Sequence, residues 1–133
     1  VVDRQGRAYI GNFGFDFIAR QPSAPAEIIL VTPDGSARVV ANEMSFPNGS
    51  IITPDGRTLI VGETYGARLT AFNIEPDGSL SGRRVWAQLR PAIPDGLDAE
   101  GAIWVASPAS ADKPQRNAWP AYHNQKEGQP LEG

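Results

Sequence analysis

An asparagine and an aspartate occupy matched tripeptides, Pro47-Asn48-Gly49 and Pro94-Asp95-Gly96, with 47 positions from one proline to the next. An amide oxygen and a carboxylate brought together suit a hard divalent cation, which for calcium means about six to eight oxygen ligands. Mixing a neutral donor with an anionic one limits the repulsion that several carboxylates would suffer at short range. The competing reading is backbone service alone, because Asn and Asp both accept unusual turn conformations. Pro-Asp-Gly also occurs at Pro33, Pro54 and Pro76. There, proline presets φ, the aspartate bonds its own backbone and glycine takes positive φ, so Asp34, Asp55 and Asp77 are expected to be structural, at hairpin tips facing solvent.

The elements that must position Asn48 and Asp95 are short strands. EIILVT, SARVVA, SIIT, TLIVGE, RLTAFNI and AIWVAS are rich in β-branched and aromatic residues, bounded by turn residues, and the 12 prolines interrupt helical spacing. The expected class is all-β. DRQGRAYIGN, TPDGRTLIVGE and DAEGAIWVAS share a turn glycine before an apolar strand, at Gly6, Gly56 and Gly101. A second hairpin type interleaves, with Gly35 and Gly78 separated by 43 residues. Two alternating hairpins at such a period mean four strands per repeat, the pattern of a β-propeller blade. Asn48 and Asp95 each precede the first strand of a blade. They are therefore expected at equivalent places on neighbouring blades, near one mouth of the central channel.

The chain has 133 residues, 41% of them hydrophobic and 20% charged, with a net charge of -3. That allows one modest domain. No basic stripe suggests nucleic acid as a partner, and no apolar run suggests a membrane span. Cysteine is absent, which excludes disulfides and thiolate metal sites. The compartment stays open, with a slight lean to the cytoplasm. The start at Val1, already in strand-like sequence, reads as a chain cut from something longer.

FPNGSIITPDGRTLIVGETYGARLTAFNIEPDGSLSGRRVW and IPDG-LDAEGAIWVA together resemble the regucalcin (senescence marker protein)/gluconolactonase family of six-bladed propellers. The likeness runs from Val1 to Ser107 and corresponds to the central portion of the family fold. It implies about two and a half four-stranded blades: 1–45, 46–89 and an incomplete 90–107. It also implies a divalent metal in the channel, calcium first, with zinc, manganese or magnesium as alternatives. Asn48 and Asp95 match two of the family's ligands, and Asp95 also matches its usual general base. The function implied is metal-dependent hydrolysis of sugar lactones or similar esters. A non-catalytic binding propeller and an inactive fragment are the alternatives.

The departures are specific. The family's ligand glutamate belongs to an N-terminal blade that this sequence does not contain. Asn12 and Glu63 lie at the far ends of second strands and are not expected to replace it. Gly49 to Gly56 is seven residues whereas Gly96 to Gly101 is five, so the strand after Asp95 is shortened and Asp95 is at risk of being drawn away. Residues 108–133, including His123, Trp119 and Tyr122, are expected to form an irregular tail without a catalytic role. Segment 13–27, with Arg20, reads as a solvated rim connection. Val39, Ile60, Val61, Leu69 and Trp104 are the expected inter-blade packers. Open blade faces favour self-association.

Overall fold

The computed structural model describes residues 1–99, 103–107 and 121–125, and every element it assigns there is a β-strand. The strands are β1 (Ala8–Gly11), β2 (Ala26–Val31), β3 (Ala37–Met44), β4 (Pro47–Ile52), β5 (Thr58–Glu63), β6 (Arg68–Ile74), β7 (Leu80–Gln88), β8 (Leu97–Ala99), β9 (Ile103–Ser107) and β10 (Ala121–Gln125). They form three antiparallel sheets, ordered β1-β2-β3, β4-β5-β6-β7 and β8-β9-β10. Consecutive strands pair throughout, so each sheet is an up-and-down meander and the whole is a partial β-propeller.

The middle sheet shows why sequence alternation alone would understate burial. In β5, five consecutive residues from Leu59 to Glu63 are buried, because both faces of the sheet are covered. Leu59 and Val61 pack with Phe72 against Tyr9, Ile28, Leu30 and Met44 of the first sheet. Ile60, on the opposite face, joins Ile51, Leu69, Ala71 and Leu89 against Ile103 and Val105 of the third. Each fully buried aliphatic side chain of this kind contributes roughly 1.5–3 kcal/mol of burial free energy. Ile60, Val61 and Leu69 thus pack between sheets as expected. Val39 does not: it is 49% exposed on β3, the outer strand of its sheet. The side chain of Trp104 lies outside the described residues.

Polar struts reinforce the first junction. Tyr9 donates its hydroxyl to Gly78 O at 3.0 Å in a buried position, Arg7 donates to Pro76 O at 2.8 Å, and Arg38 donates to Asp77 O at 2.9 Å. The carbonyls of Pro76, Asp77 and Gly78 thus dock the neighbouring sheet, while Pro76 and the Asp77 side chain stay exposed as expected of a hairpin tip. The expectation of a wholly irregular segment after Ser107 also needs correcting. Residues 121–125 pair with β9, with Tyr122 opposite Ala106 and His123 opposite Val105. That strand was missed because AYHNQ lacks the β-branched run and turn signals that marked the others. The rest of 108–133 lies outside the described residues.

Candidate metal and substrate site

Asn48 enters the site through a defect in its ladder. Pro47 pairs with Glu63 and Ser50 with Val61, so β4 spends one more residue than β5 across Asn48-Gly49. Such a bulge bends the strand and re-aims a side chain. Asn48 Nδ2 then lies 2.6 Å from Asp95 Oδ1 and 3.4 Å from Thr64 Oγ1. The two tripeptides, a whole repeat apart in sequence, meet side chain to side chain.

The main chain holds that meeting in place. Gly49 N donates to Asp95 O at 2.6 Å, while Asp95 N donates to Ala106 O at 2.9 Å. Thr64 Oγ1 donates to Pro94 O at 2.6 Å. A Cβ at Gly49 would stand 2.5 Å from Leu97 N and 2.7 Å from Asp95 O, so only glycine permits this approach. Gly62 likewise leaves just enough room for Pro94, which a Cβ there would meet at 2.9 Å. The shortened strand is real in part: β8 has 3 residues where β4 has 6. The difference falls at the start, where Pro94, Asp95 and Gly96 lie outside β8 while Pro47, Asn48 and Gly49 lie within β4, and Asp95 still reaches Asn48.

Glu63 is buried, with no exposed surface, and its oxygens are already engaged. They accept from Arg68 at 3.0 and 3.1 Å, from Ser45 N at 2.6 Å and from the Thr70 hydroxyl. Burial by itself would raise its carboxyl pKa, but the bonds from Arg68, Thr70 and Ser45 N more than offset this and hold it below the ordinary value. Glu63 is therefore a clamp between the β3–β4 corner and β5–β6, with no oxygen to spare for a cation. Asn12 stands just after β1.

The donor chemistry of Asn48 and Asp95 fits part of a hard-cation site. Rotating the Asn48 amide about its terminal torsion exchanges Nδ2 for Oδ1 and turns an oxygen towards the carboxylate. Two oxygens and one charge are fewer than calcium takes. Among the described residues, no group of three or more His, Cys, Asp or Glu could complete a cage.

Sequence reasoning missed Thr64 and an aromatic corner beside the pair. Thr64 carries no motif signal; only the β4–β5 pairing brings it to Asn48. The corner had a signal, since Phe13, Phe15 and Phe17 alternate within segment 13–27. Their rings pack on Phe46 and Tyr65, so this segment is more than a solvated connection. Arg20 is exposed, in a turn where Ala19 N donates to Asp16 Oδ1 at 2.8 Å.

Meandering sheets packed face to face, with Asn48 of the second meeting Asp95 just before the third, define an incomplete propeller. The family described as SMP-30/Gluconolactonase/LRE-like region matches residues 1–114, and the chain belongs to it. A gluconolactonase of Xanthomonas campestris is 29% identical with a TM-score of 0.67, over 96% of this chain and 46% of that one. The calcium-binding protein regucalcin from Agrobacterium tumefaciens is 27% identical with a TM-score of 0.65, over 80% of this chain and 36% of that one. The adipocyte plasma membrane-associated protein Hemomucin of Drosophila melanogaster is 35% identical over 86 residues, 62% of this chain and 14% of its own length. The chain thus spans less than half the length of each of these relatives.

Proposed function

We propose that this chain supplies part of the centre of a metal-dependent hydrolase of the gluconolactonase type, acting on sugar lactones or similar esters. Asn48 and Asp95 are two of the metal's oxygen ligands, and Asp95 is the general base. The observation that carries the reading is the 2.6 Å approach of Asn48 Nδ2 to Asp95 Oδ1 across two sheets. A bound divalent cation, calcium in the first instance and zinc, manganese or magnesium otherwise, supplies Lewis-acid polarisation of the substrate carbonyl. Asp95 is exposed, so its carboxylate is open to water and substrate at the mouth. It takes a proton from water as the water oxygen adds to the carbonyl carbon. The ring C–O bond then breaks, Asp95 returns its proton to the departing ring oxygen, and a hydroxy acid is released. Thr64 anchors Pro94 and so keeps the Asp95 backbone still while this happens.

The gluconolactonase and the calcium-binding regucalcin among the relatives support the reaction class and the metal. The activity belongs to a complete ring, of which this chain carries two ligands. Thermal unfolding of the full chain with millimolar calcium or manganese, alongside acid release from glucono-δ-lactone, tests the proposal. Ligand linkage gives about 2.7 kcal/mol of stabilisation at a metal concentration 100 times Kd. That shift is expected to vanish in Asn48→Ala and in Asp95→Ala. No shift with either metal would remove the site from this chain.

The direct donation from Asn48 Nδ2 to Asp95 also favours a second reading, a non-catalytic propeller whose sheets this bond merely joins. Under it, metal changes nothing and both alanine variants lose a little stability with or without metal.

A further inference from the structure

Thr64 stands one residue beyond β5, and the main chain holds it from two directions. Its N donates to Phe46 O at 3.0 Å, and its carbonyl accepts from Ala67 N at 3.2 Å. The half-buried side chain is thereby set between Asn48 and Pro94. A hydroxyl has one proton to give and two lone pairs to offer. Thr64 gives its proton to Pro94 O at 2.6 Å. Only lone pairs remain for Asn48, whose Nδ2 lies 3.4 Å away.

The Asn48 amide nitrogen therefore faces two acceptors at once, Asp95 Oδ1 at 2.6 Å and Thr64 Oγ1 at 3.4 Å. Oxygens that turn lone pairs onto one positively polarised group are what a cation also requires. A hydroxyl facing a cation must send its proton elsewhere, and Pro94 O already takes it. That bond polarises the hydroxyl and strengthens its lone pairs. The spacing agrees. Calcium–oxygen distances of about 2.3–2.6 Å, at right angles, separate neighbouring ligand oxygens by about 3.3–3.7 Å. Rotating the Asn48 amide puts Oδ1 where Nδ2 now lies, 3.4 Å from Thr64 Oγ1. Asp95 Oδ1 is closer than such a shell allows, and its exposed side chain has room to draw back.

We propose that Thr64 Oγ1 is a third oxygen ligand, beside Asn48 and Asp95, for the divalent cation of this site. The inference rests on the metal-site reading above and extends it by one residue. A hydroxyl adds an oxygen without adding a charge, so Asp95 gains no anionic neighbour to repel. The competing role is that of a strut, in which the bond to Pro94 O steadies the Asp95 backbone and the hydroxyl never meets the cation.

Calorimetric titration of the full chain with calcium chloride, alongside thermal unfolding, separates the two roles. Thr64→Val keeps the shape of the side chain and removes its oxygen, and should weaken calcium binding about tenfold or more. Thr64→Ser keeps the hydroxyl and should stay within about twofold of the parent. Thr64→Asp cannot donate to Pro94 O but brings an anionic oxygen, so its calcium-induced rise in Tm should exceed the parent's. Parent-like affinity in Thr64→Val overturns the proposal. A calcium response in Thr64→Asp as weak as that of Thr64→Val also overturns it and leaves the strut. Should Thr64→Val not fold, a smaller calcium response in Thr64→Asp than in Thr64→Ser is the overturning result. Calcium binding by the parent that survives in Thr64→Val removes this ligand alone, whereas no binding by the parent removes the metal-site reading as well.

Discussion

Pro-Asp-Gly is used in two ways in this molecule. In three copies the carboxylate serves its own hairpin: Asp34 accepts from Ser36 N at 3.0 Å, Asp55 from Arg57 N at 3.0 Å and Asp77 from Ser79 N at 2.9 Å. The glycines that follow, Gly35, Gly56 and Gly78, hold φ of 85°, 74° and 86°. In the fourth copy Asp95 reaches across a sheet boundary to Asn48, and Gly96 is not among the positive-φ glycines. Turn chemistry therefore does not belong to the tripeptide. It belongs to a tripeptide with a strand on each side that pairs back on the other. Pro94-Asp95-Gly96 lies between β7 and β8, which belong to different sheets, so no hairpin closes over it.

The strongest way to sharpen the contrast is to remove a carboxylate that is wholly committed to structure. Glu63→Ala would leave Arg68, Thr70 and Ser45 N without their acceptor in a buried place, an expected loss of about 3–5 kcal/mol by chemical denaturation. Asp95→Ala, in the absence of metal, should stay close to the parent. The same clamp predicts an acid limb. Because the folded Glu63 pKa is depressed below 4.5, its contribution is complete above that value and drains away as pH falls through the folded pKa. Glu63→Gln should flatten that limb; superimposable acid unfolding curves for the two proteins would sink the clamp.

Next in size are the glycines. Gly49→Ala drives a Cβ into the backbone of Asp95 and Leu97, so a loss of roughly 3 kcal/mol is expected. Gly56→Ala meets nothing within 4 Å and suffers only its positive φ, roughly 1–2 kcal/mol. Equal losses would erase the distinction between a turn glycine and a close-approach glycine. A third comparison sets Asp95→Ala against Asp55→Ala in calcium. The first should abolish the metal-induced rise in Tm and the second should keep it, which differential scanning fluorimetry reads directly. The smallest effects belong to Asp34→Ala, Asp55→Ala and Asp77→Ala without metal. Each loses the local bonds that hold its carboxyl below the ordinary range, with a slight fall in Tm and no change in metal response.

Much of the architecture was legible because its signals are local. Four-strand periodicity, turn glycines and β-branched runs each report on residues within a few positions of one another, and sheet meanders follow from them. The equivalence of Asn48 and Asp95 was legible through the repeat. The aromatic corner was half legible: alternate phenylalanines at 13, 15 and 17 announced it, but their partners Phe46 and Tyr65 are distant in sequence. β10 escaped because its composition is that of a loop, and Val39 was misjudged because an apolar residue on an outer strand reads the same as one on an inner strand.

By itself, the sequence determined the strands and hairpins of the repeat and the matching of an amide with a carboxylate one period apart, since backbone preference and periodicity are written residue by residue. Only the tertiary structure decided that the β4 bulge and the Gly49 approach bring those two side chains within 2.6 Å. It alone decided that Glu63 is consumed by a clamp and that four rings gather around Phe46. Those outcomes depend on which sheet faces which, and packing between sheets is a property of residues that no local pattern connects.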